Sequence, residues 1–367
     1  MKVLYLSSYG KSDTRTSALI RSLRRLTETE VVCVTKKVTE CTDELDEASD
    51  LTYGKSGVLG IVQFIHLSLK AAKKLGNMDV LFVDNRKATI PAFFIRKMYS
   101  PKLILQDARE LYILKEISHF SGKVGCVFEQ AALKRADIVI CANKYRAKIM
   151  QEQMKIKCPI YVFENVFTIY YDKNFSKDVA EKQYGNLFGN DRFLMLSSSG
   201  CALIRTTDKF VRAMKKFEGR AELLLVGKNS STDEKYIRQI IKDEQVSNVH
   251  IVGPVDKNVL KWMITKCNAG IAIYGKSDSN NLYCASGKIY EFLTENKPII
   301  ASANPPLIDL CNKTRVGVAS DCYENAIEDM LKNYRKYRDN VISYIQSFDI
   351  NEGEDRLVEY LQKVLEN

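Results

Sequence analysis

The sequence predicts two α/β domains, each a doubly wound parallel sheet. Three observations carry this expectation. A chain of 367 residues is about twice a typical domain. Short apolar runs alternate with stretches of helical period, the pattern of βαβ units. That alternation stops in a polar stretch, Tyr171–Asn190, and then starts again.

In chain order, Val3–Leu6 reads as the opening strand. One cation and a brief apolar run make it a strand rather than a secretory signal. A helix near Ser17–Leu26 leads to a strand at Val31–Thr35, and a helix at Val58–Leu75 leads to Val80–Asp84. The helix Pro91–Met98 precedes the strand Leu103–Gln106, and the helix Val124–Arg135 precedes the strands Ile138–Cys141 and Ile160–Phe163. After a linker near 165–190, strands are expected at Phe193–Ser197, Glu222–Val226, Val249–Val252, Ala269–Ile273, Pro298–Ala301 and Gly317–Ala319. The helices between them fall near Thr207–Phe217, Glu234–Asp243, Asn258–Cys267 and Lys288–Thr294. The domains are therefore read as 1–165 and 166–349. The charged tail from Tyr323 is helical. Leu357, Val358, Leu361 and Leu365 form an apolar stripe that packs either on its own domain or back on the first.

Composition narrows the function. Hydrophobic residues make up 46% and charged residues 27%, which excludes a mainly disordered chain. No run approaches the roughly 18 apolar residues of a membrane-spanning helix. Ten cysteines are scattered without a CxxC pair, and the three histidines, His66, His119 and His250, show neither HxH nor HExxH spacing. No metal site is expected, and the cysteines read as free thiols in a reducing cytoplasm. Of the net +10, residues 1–165 hold +9, from 27 basic and 18 acidic residues. That asymmetry suits an anionic partner, or solubility alone. Within it, Arg86–Lys102 interleaves Phe93, Phe94, Ile95, Met98 and Tyr99 with Arg96 and Lys97. Such a stretch suits an interfacial helix on anionic lipid or a sheet-covering helix with a basic outer face. No nucleic-acid-binding motif is present.

Open α/β sheets bind ligands outside the carboxyl ends of their strands, so the chemistry is expected in the loops there. The most informative segment is Asn280–Ala301, NNLYCASGKIYEFLTENKPIIA. Ser286-Gly287 enters a helix whose first turn carries Lys288, and Glu291 follows at i+3 on the same face. A cation beside a carboxylate suits phosphate next to sugar hydroxyls. A surface Lys–Glu pair is the plainer reading of the same spacing.

The run SGKIYEFLTENKPIIA resembles the signature S-x-K-hydrophobic-x-E-[YF]-L-x-x-x-K/G-P-[VI]-[IL]-A of family 4 (group 1) glycosyltransferases. FLMLSSSGCALIRTTDKFVRAM, AELLLVGK and NVHIVGPVDKNVLKWMITKCNAGIAIY resemble the successive parts of that family's donor-binding domain. ADIVICANKYRAKIM, YVFENVF and LILQDARELY resemble parts of its acceptor-binding domain and the crossing between the two. The resemblance implies the GT-B architecture, two Rossmann-like domains facing a cleft, and a retaining, metal-independent transfer that uses no cofactor.

The resemblance also implies roles. Glu291 matches the second glutamate of the family's Glu-x7-Glu pair and would bind the ribose hydroxyls of the donor. Tyr283 stands where the first glutamate is found, a departure that leaves open which group reads the donor sugar. Backbone amides of Cys284, Ala285, Ser286 and Gly287 would contact sugar and phosphate. Lys288, or Arg205, would neutralise the diphosphate; at Arg205 the family's following glycine is replaced by Thr206. Gly253-Pro254-Val255 would border the base, with Gly227-Lys228 lining the same site. In the first domain, the loop holding Tyr9, Gly10 and Lys11 resembles a glycine-poor form of the family's first loop, near donor phosphates and acceptor. Asp107, Arg109 and Glu110 follow a strand end, and Glu110 would orient the acceptor hydroxyl.

The implied function is transfer of a hexosyl unit from a nucleotide diphosphate sugar to a glycan or lipid-linked glycan in surface polysaccharide synthesis. The expected place is the cytoplasm, with a peripheral position on the inner face of the membrane if the basic half meets lipid. The alternatives are a GT-B nucleotide-sugar epimerase and a non-catalytic nucleotide-sugar-binding relative.

Overall fold

In a computed structural model, every residue is described except 27, 38–46, 168–170, 172, 173, 190, 191, 286, 348, 350 and 367. The chain divides into two units, Met1–Asn165 with Asn351–Asn367, and Val166–Ile350.

In the first unit the elements run β1 (Lys2–Ser7), α1 (Thr14–Arg24), β2 (Glu30–Lys36), β3 (Leu51–Tyr53), α2 (Gly57–Leu75), β4 (Val80–Asp84), α3 (Thr89–Tyr99), β5 (Leu103–Ala108), α4 (Phe120–Leu133), β6 (Ile138–Cys141), α5 (Lys144–Glu152) and β7 (Ile160–Val162). The strands form one parallel sheet in the order β3-β2-β1-β4-β5-β6-β7. Val3 pairs with both Val31 and Val80, which makes β1 the central strand. Helices on both faces explain why Val-Leu-Tyr-Leu and Val-Val-Cys-Val are continuous apolar runs and not alternating ones. Asp13 caps α1 by accepting from the Thr16 amide.

The expected elements correspond closely, but five others were not foreseen, two of them the helices Ser279–Leu282 and Pro305–Thr314 of the second unit. The strand β3 was not foreseen, because it is a three-residue edge strand defined by its pairing with Val34–Lys36. The helices α5 and α6 (Lys177–Tyr184) were not foreseen either. The second falls in the stretch read as linker. Ser176 caps it, Ala180 is buried, and Tyr184, Leu187 and Phe188 pack on the core of the second unit. Phe188 meets Trp262 edge-on at 5.1 Å. This polar stretch is therefore part of the fold.

The second unit continues with β8 (Phe193–Ser197), α7 (Thr207–Met214), β9 (Ala221–Val226), α8 (Ser231–Asp243), β10 (Val249–Gly253), α9 (Lys257–Lys266) and β11 (Ala269–Ala272). Then come α10 (Ser279–Leu282), α11 (Lys288–Leu293), β12 (Ile299–Ala301), α12 (Pro305–Thr314), β13 (Gly317–Ala319) and α13 (Tyr323–Gln346). Its parallel sheet has the order β10-β9-β8-β11-β12-β13. Its core lies on both faces of that sheet, one side around Phe210 and Phe217, the other around Trp262 and Phe292.

The chain ends in α14 (Glu352–Glu366), which packs on α1 of the first unit. Leu357, Val358 and Leu361 are its buried stripe, and Tyr360 stacks on Tyr161 at 4.6 Å. Of the two packings its periodicity allows, this is the return to the first domain. No described helix is long and apolar enough to cross a membrane.

Candidate functional site

In the second unit the strand order reverses between β8 and β11, the place where a parallel sheet leaves a crevice at its carboxyl edge. Three turns crowd there. Gly200 follows β8 at φ +58°, and a Cβ on it would collide with Asn229 Oδ1, whose oxygen accepts from the Cys201 amide at 2.7 Å. Gly227 follows β9 at φ +139°, and a Cβ on it would meet Gly200 N at 3.1 Å and Ser198 O at 3.2 Å. The Gly227 amide donates to Gly253 O at 2.8 Å. These glycines let the three turns approach each other closely.

The helix α11 brings the signature residues to this edge. Its Ile289, Tyr290, Phe292 and Leu293 are buried in the core, and Phe292 lies so close to Gly270 that any side chain there would strike its ring. The opposite face carries Lys288 and Glu291. Lys288 Nζ donates to Ser198 O at 2.6 Å and lies 3.4 Å from Ser199 Oγ. The Arg205 guanidinium lies over the Tyr274 ring, 3.8 Å from its centroid.

Electrostatics set this cluster apart. Burial pushes the Lys288 ammonium below its ordinary value, Glu291 opposes the shift, and Arg205 adds to it. Burial raises the Glu291 carboxyl against the pull of Lys288 and Ser198. Ser198 Oγ, Arg205 Nη1 and Glu291 Oε2 are buried atoms that, apart from a contact between Ser198 and Glu291, meet no hydrogen-bond partner. Buried polar atoms short of partners are rare in a folded protein, and three around one desolvated lysine mark a place where a ligand completes the bonding. Two cations beside a carboxylate suit a ligand with an anionic part and hydroxyls.

Thr206 takes a left-handed backbone at φ 55°, a conformation that favours glycine and is unusual for a β-branched residue. Its Oγ1 is 2.6 Å from the Tyr323 hydroxyl. The backbone thus makes a turn that a glycine would adopt without strain, and Arg205 stands immediately before it.

Other predicted donor-site residues divide. Cys284 is buried in the core, and Val255 packs against that core, so their side chains serve the fold. Tyr283 closes α10 and Ala285 follows Cys284 in the loop to α11. Gly287 caps α11, while Ser286 lies outside the described residues. Pro254 and Lys228 are exposed. Sequence reasoning missed Asn304. Its buried amide donates to the carbonyls of Asn281 at 3.0 Å and Leu282 at 3.2 Å, and its Oδ1 accepts from Ser302 Oγ at 2.6 Å. Asn304 therefore fixes the loop that precedes α11. The Asn-Pro-Pro run marks a helix start, yet nothing in it signals this reach.

In the first unit, Asp107 and Arg109 were expected to face the ligand, and the structure places them in the interior instead. Both oxygens of Asp107 are taken by Arg15, at 2.7 and 2.8 Å. Arg109 grips Asp84 at 2.5 and 2.7 Å and Asp13 at 2.6 Å. Against the penalty of burial, Arg109 and the hydroxyls of Tyr5 and Ser7 hold Asp84 below the ordinary carboxylate value. Lys11 is likewise buried on Asp50 at 2.6 Å, which removes its ammonium from the loop surface. Gly10 is buried and its carbonyl accepts from the Asp13 amide at 3.0 Å.

Glu110 and Tyr9 remain at the surface. Tyr9 stacks on the Arg109 guanidinium at 4.3 Å, and Glu110 lies 3.6 Å from Arg146, which donates to Arg109 O at 2.6 Å. Glu129 and Arg86, which the sequence did not single out, belong to the same group. Burial lifts the Glu129 carboxyl to about 8, with Arg86 opposing and Glu110 adding to the shift. Arg86 lies over Tyr112 at 4.1 Å. Among the described residues, no three His, Cys, Asp or Glu side chains converge as a metal site would need.

Solved structures match this chain over nearly its whole length. Sucrose-phosphate synthase from Thermosynechococcus elongatus matches with a TM-score of 0.75 at 14% identity, covering 99% of each chain. Anabaena HepE in complex with UDP-glucose matches with a TM-score of 0.72 at 15% identity, covering 99% of this chain and 100% of that one. The fold is GT-B. WaaG, a glycosyltransferase involved in lipopolysaccharide biosynthesis, shares this GT-B fold with a TM-score of 0.64 at 12% identity, covering 98% of this chain and 99% of that one. No family model and no curated protein sequence matches the chain. At such identities the GT-B likeness establishes architecture alone.

Proposed function

We propose that this chain is a family 4 (group 1) glycosyltransferase that moves a hexosyl unit from a nucleotide diphosphate sugar to a hydroxyl of a glycan or lipid-linked glycan acceptor. The observation that carries the proposal is the cluster of Lys288, Arg205 and Glu291 at the reversal of the second sheet, with three buried polar atoms short of partners. The HepE structure with UDP-glucose shows that this fold holds such a donor in a protein of the same architecture.

In this reading Glu291 accepts from the ribose hydroxyls, and Lys288 and Arg205 meet the diphosphate. The bond from the sugar's anomeric carbon to the phosphate oxygen breaks, and the acceptor oxygen bonds to that carbon on the same face. The acceptor's proton passes to the departing phosphate, so configuration is retained without a protein nucleophile. Negative charge grows on the leaving diphosphate, where preorganised cations act most strongly. No metal and no cofactor take part. Glu110 orients the acceptor hydroxyl, and Arg109, Asp84, Asp107 and Arg15 hold its backbone in place. The setting is cytoplasmic, in the assembly of surface polysaccharide.

The test is incubation of the full chain with candidate donors, with and without glycan acceptors and with EDTA. Acceptor-dependent nucleotide release that survives EDTA, with the donor's anomeric configuration kept in the product, supports the proposal. Epimer formation from donor alone identifies an epimerase. Tight donor binding without turnover identifies a binding relative.

A further inference from the structure

Eighteen large hydrophobic side chains are exposed among the described residues, and thirteen lie on or beside three helices of the first unit. Four are on α2, four on α3 and four on α4, with Leu114 on the approach to α4. Val58, Phe93, Phe94, Met98, Phe120 and Phe128 are among them, and Phe120 is 82% exposed. The helix α3 packs beside both α2 and α4, so the side chains share one face. That face continues into an open groove of about 940 Å³ lined by Leu114, Phe120, Phe128 and Met154. An apolar surface this rich is rare unless something covers it.

The charges on the same helices identify what covers it. They carry Lys70, Lys73, Lys74, Arg96, Lys97 and Lys123, all exposed. Their one acidic residue, Glu129, is buried. Lys97 Nζ lies 4.7 Å from the centre of the Phe93 ring, so cation and aromatic are interleaved in space as well as in sequence. Protein interfaces are depleted of lysine. Phenylalanine and aliphatic side chains ringed by lysine and arginine, with no exposed acid on the three helices and one, Glu116, at the margin beside Leu114, match the boundary between acyl chains and acidic headgroups.

We propose that the face formed by α2, α3 and α4 docks this unit on an anionic lipid bilayer. The Arg86–Lys102 stretch, read from sequence as one of two kinds of helix, is the middle third of this surface. The proposal stands on the surface alone and does not depend on the transferase reading. None of these exposed side chains belongs to the Lys288 cluster.

The test is co-sedimentation of the full chain with vesicles of phosphatidylcholine, or of phosphatidylcholine mixed with phosphatidylglycerol, at low and high salt. Two double variants accompany it: Phe94→Gln with Phe128→Gln, and Lys97→Gln with Lys123→Gln. All four residues are exposed, and an unchanged melting temperature confirms that each variant folds. The wild type should bind the acidic vesicles only, and less at high salt, as screening shortens to a Debye length of a few Å. The lysine pair should bind about 25-fold more weakly, about fivefold per cation. The phenylalanine pair should bind about tenfold more weakly or worse. Absence of wild-type binding, equal binding to neutral vesicles, or unchanged binding in both variants would overturn the proposal. So would lipid-free self-association that the phenylalanine pair abolishes, which would assign the face to a second copy of the chain.

Discussion

Lys288 Nζ donates to the carbonyl oxygen of Ser198 at 2.6 Å, across the carboxyl edge of the second sheet. This bond ties the first turn of α11 to the turn after β8, two segments ninety residues apart in the chain. It holds a desolvated cation where Arg205 and Glu291 also converge. A lysine whose ammonium is pushed down by burial gains most from an arriving anion, because the anion favours its charged form.

Lys288→Ala and Arg205→Ala should each lower kcat more than they raise KM. In the proposed transfer both cations face charge that grows as the diphosphate departs, and interactions that strengthen in the transition state act on turnover. Steady-state kinetics with each variant check this. A change confined to KM would make them uniform binders of the donor.

Glu291→Gln should separate stability from binding. The buried carboxylate has an oxygen short of partners, and burial raises its carboxyl above the ordinary value. A neutral amide relieves that desolvation, so thermal stability of the unliganded protein should rise. Donor affinity should fall by about 1.5–3 kcal/mol, the size of hydrogen bonds to a charged group. Melting and calorimetric titration of the same sample measure both.

Glu129 gives the first unit a pH dependence of definite sign. Its carboxyl is lifted by burial from 4.5 to about 8, so the folded state binds a proton that the unfolded state releases. Stability should therefore fall as pH rises between about 4.5 and 8, by an amount on the order of a few kcal/mol. Glu129→Gln should flatten that slope. Urea denaturation across this range, on both proteins, reads the difference.

Asp84→Ala should destabilise the first unit by about 3–5 kcal/mol, because Arg109 is left buried with much of its pairing gone. Chemical denaturation gives the value. A loss of about 1 kcal/mol or less would mean that Asp13 and Thr16 alone satisfy the guanidinium.

Much of the fold was legible because strands buried on both faces are written as plain apolar runs. Val80–Asp84, Ile138–Cys141, Phe193–Ser197 and Gly317–Ala319 were read to the residue. Leu51–Tyr53 was not, since an edge strand of three residues has no run to show. Lys177–Tyr184 buries only Ala180 and therefore looked like linker. The signature brought attention to Lys288 and Glu291, and the turn after β8 to Arg205. Ser198, Tyr274 and Asn304 were invisible because their importance comes from neighbours far away in sequence. Asp107 and Arg109 illustrate a limit of strand-end reasoning. A residue at the carboxyl end of a strand can turn inward when a complementary charge, here Arg15 or Asp84, waits in the interior.

The most direct test of the central claim is titration of the full chain with UDP-, GDP- and ADP-sugars, followed by thermal unfolding, with Glu291→Gln alongside. One nucleotide sugar should stabilise the wild type by about 2.7 kcal/mol at a hundredfold excess over its Kd, and the variant by distinctly less. Stabilisation by none of them, or by the same amount in both proteins, would contradict a nucleotide-sugar site built on Lys288 and Glu291.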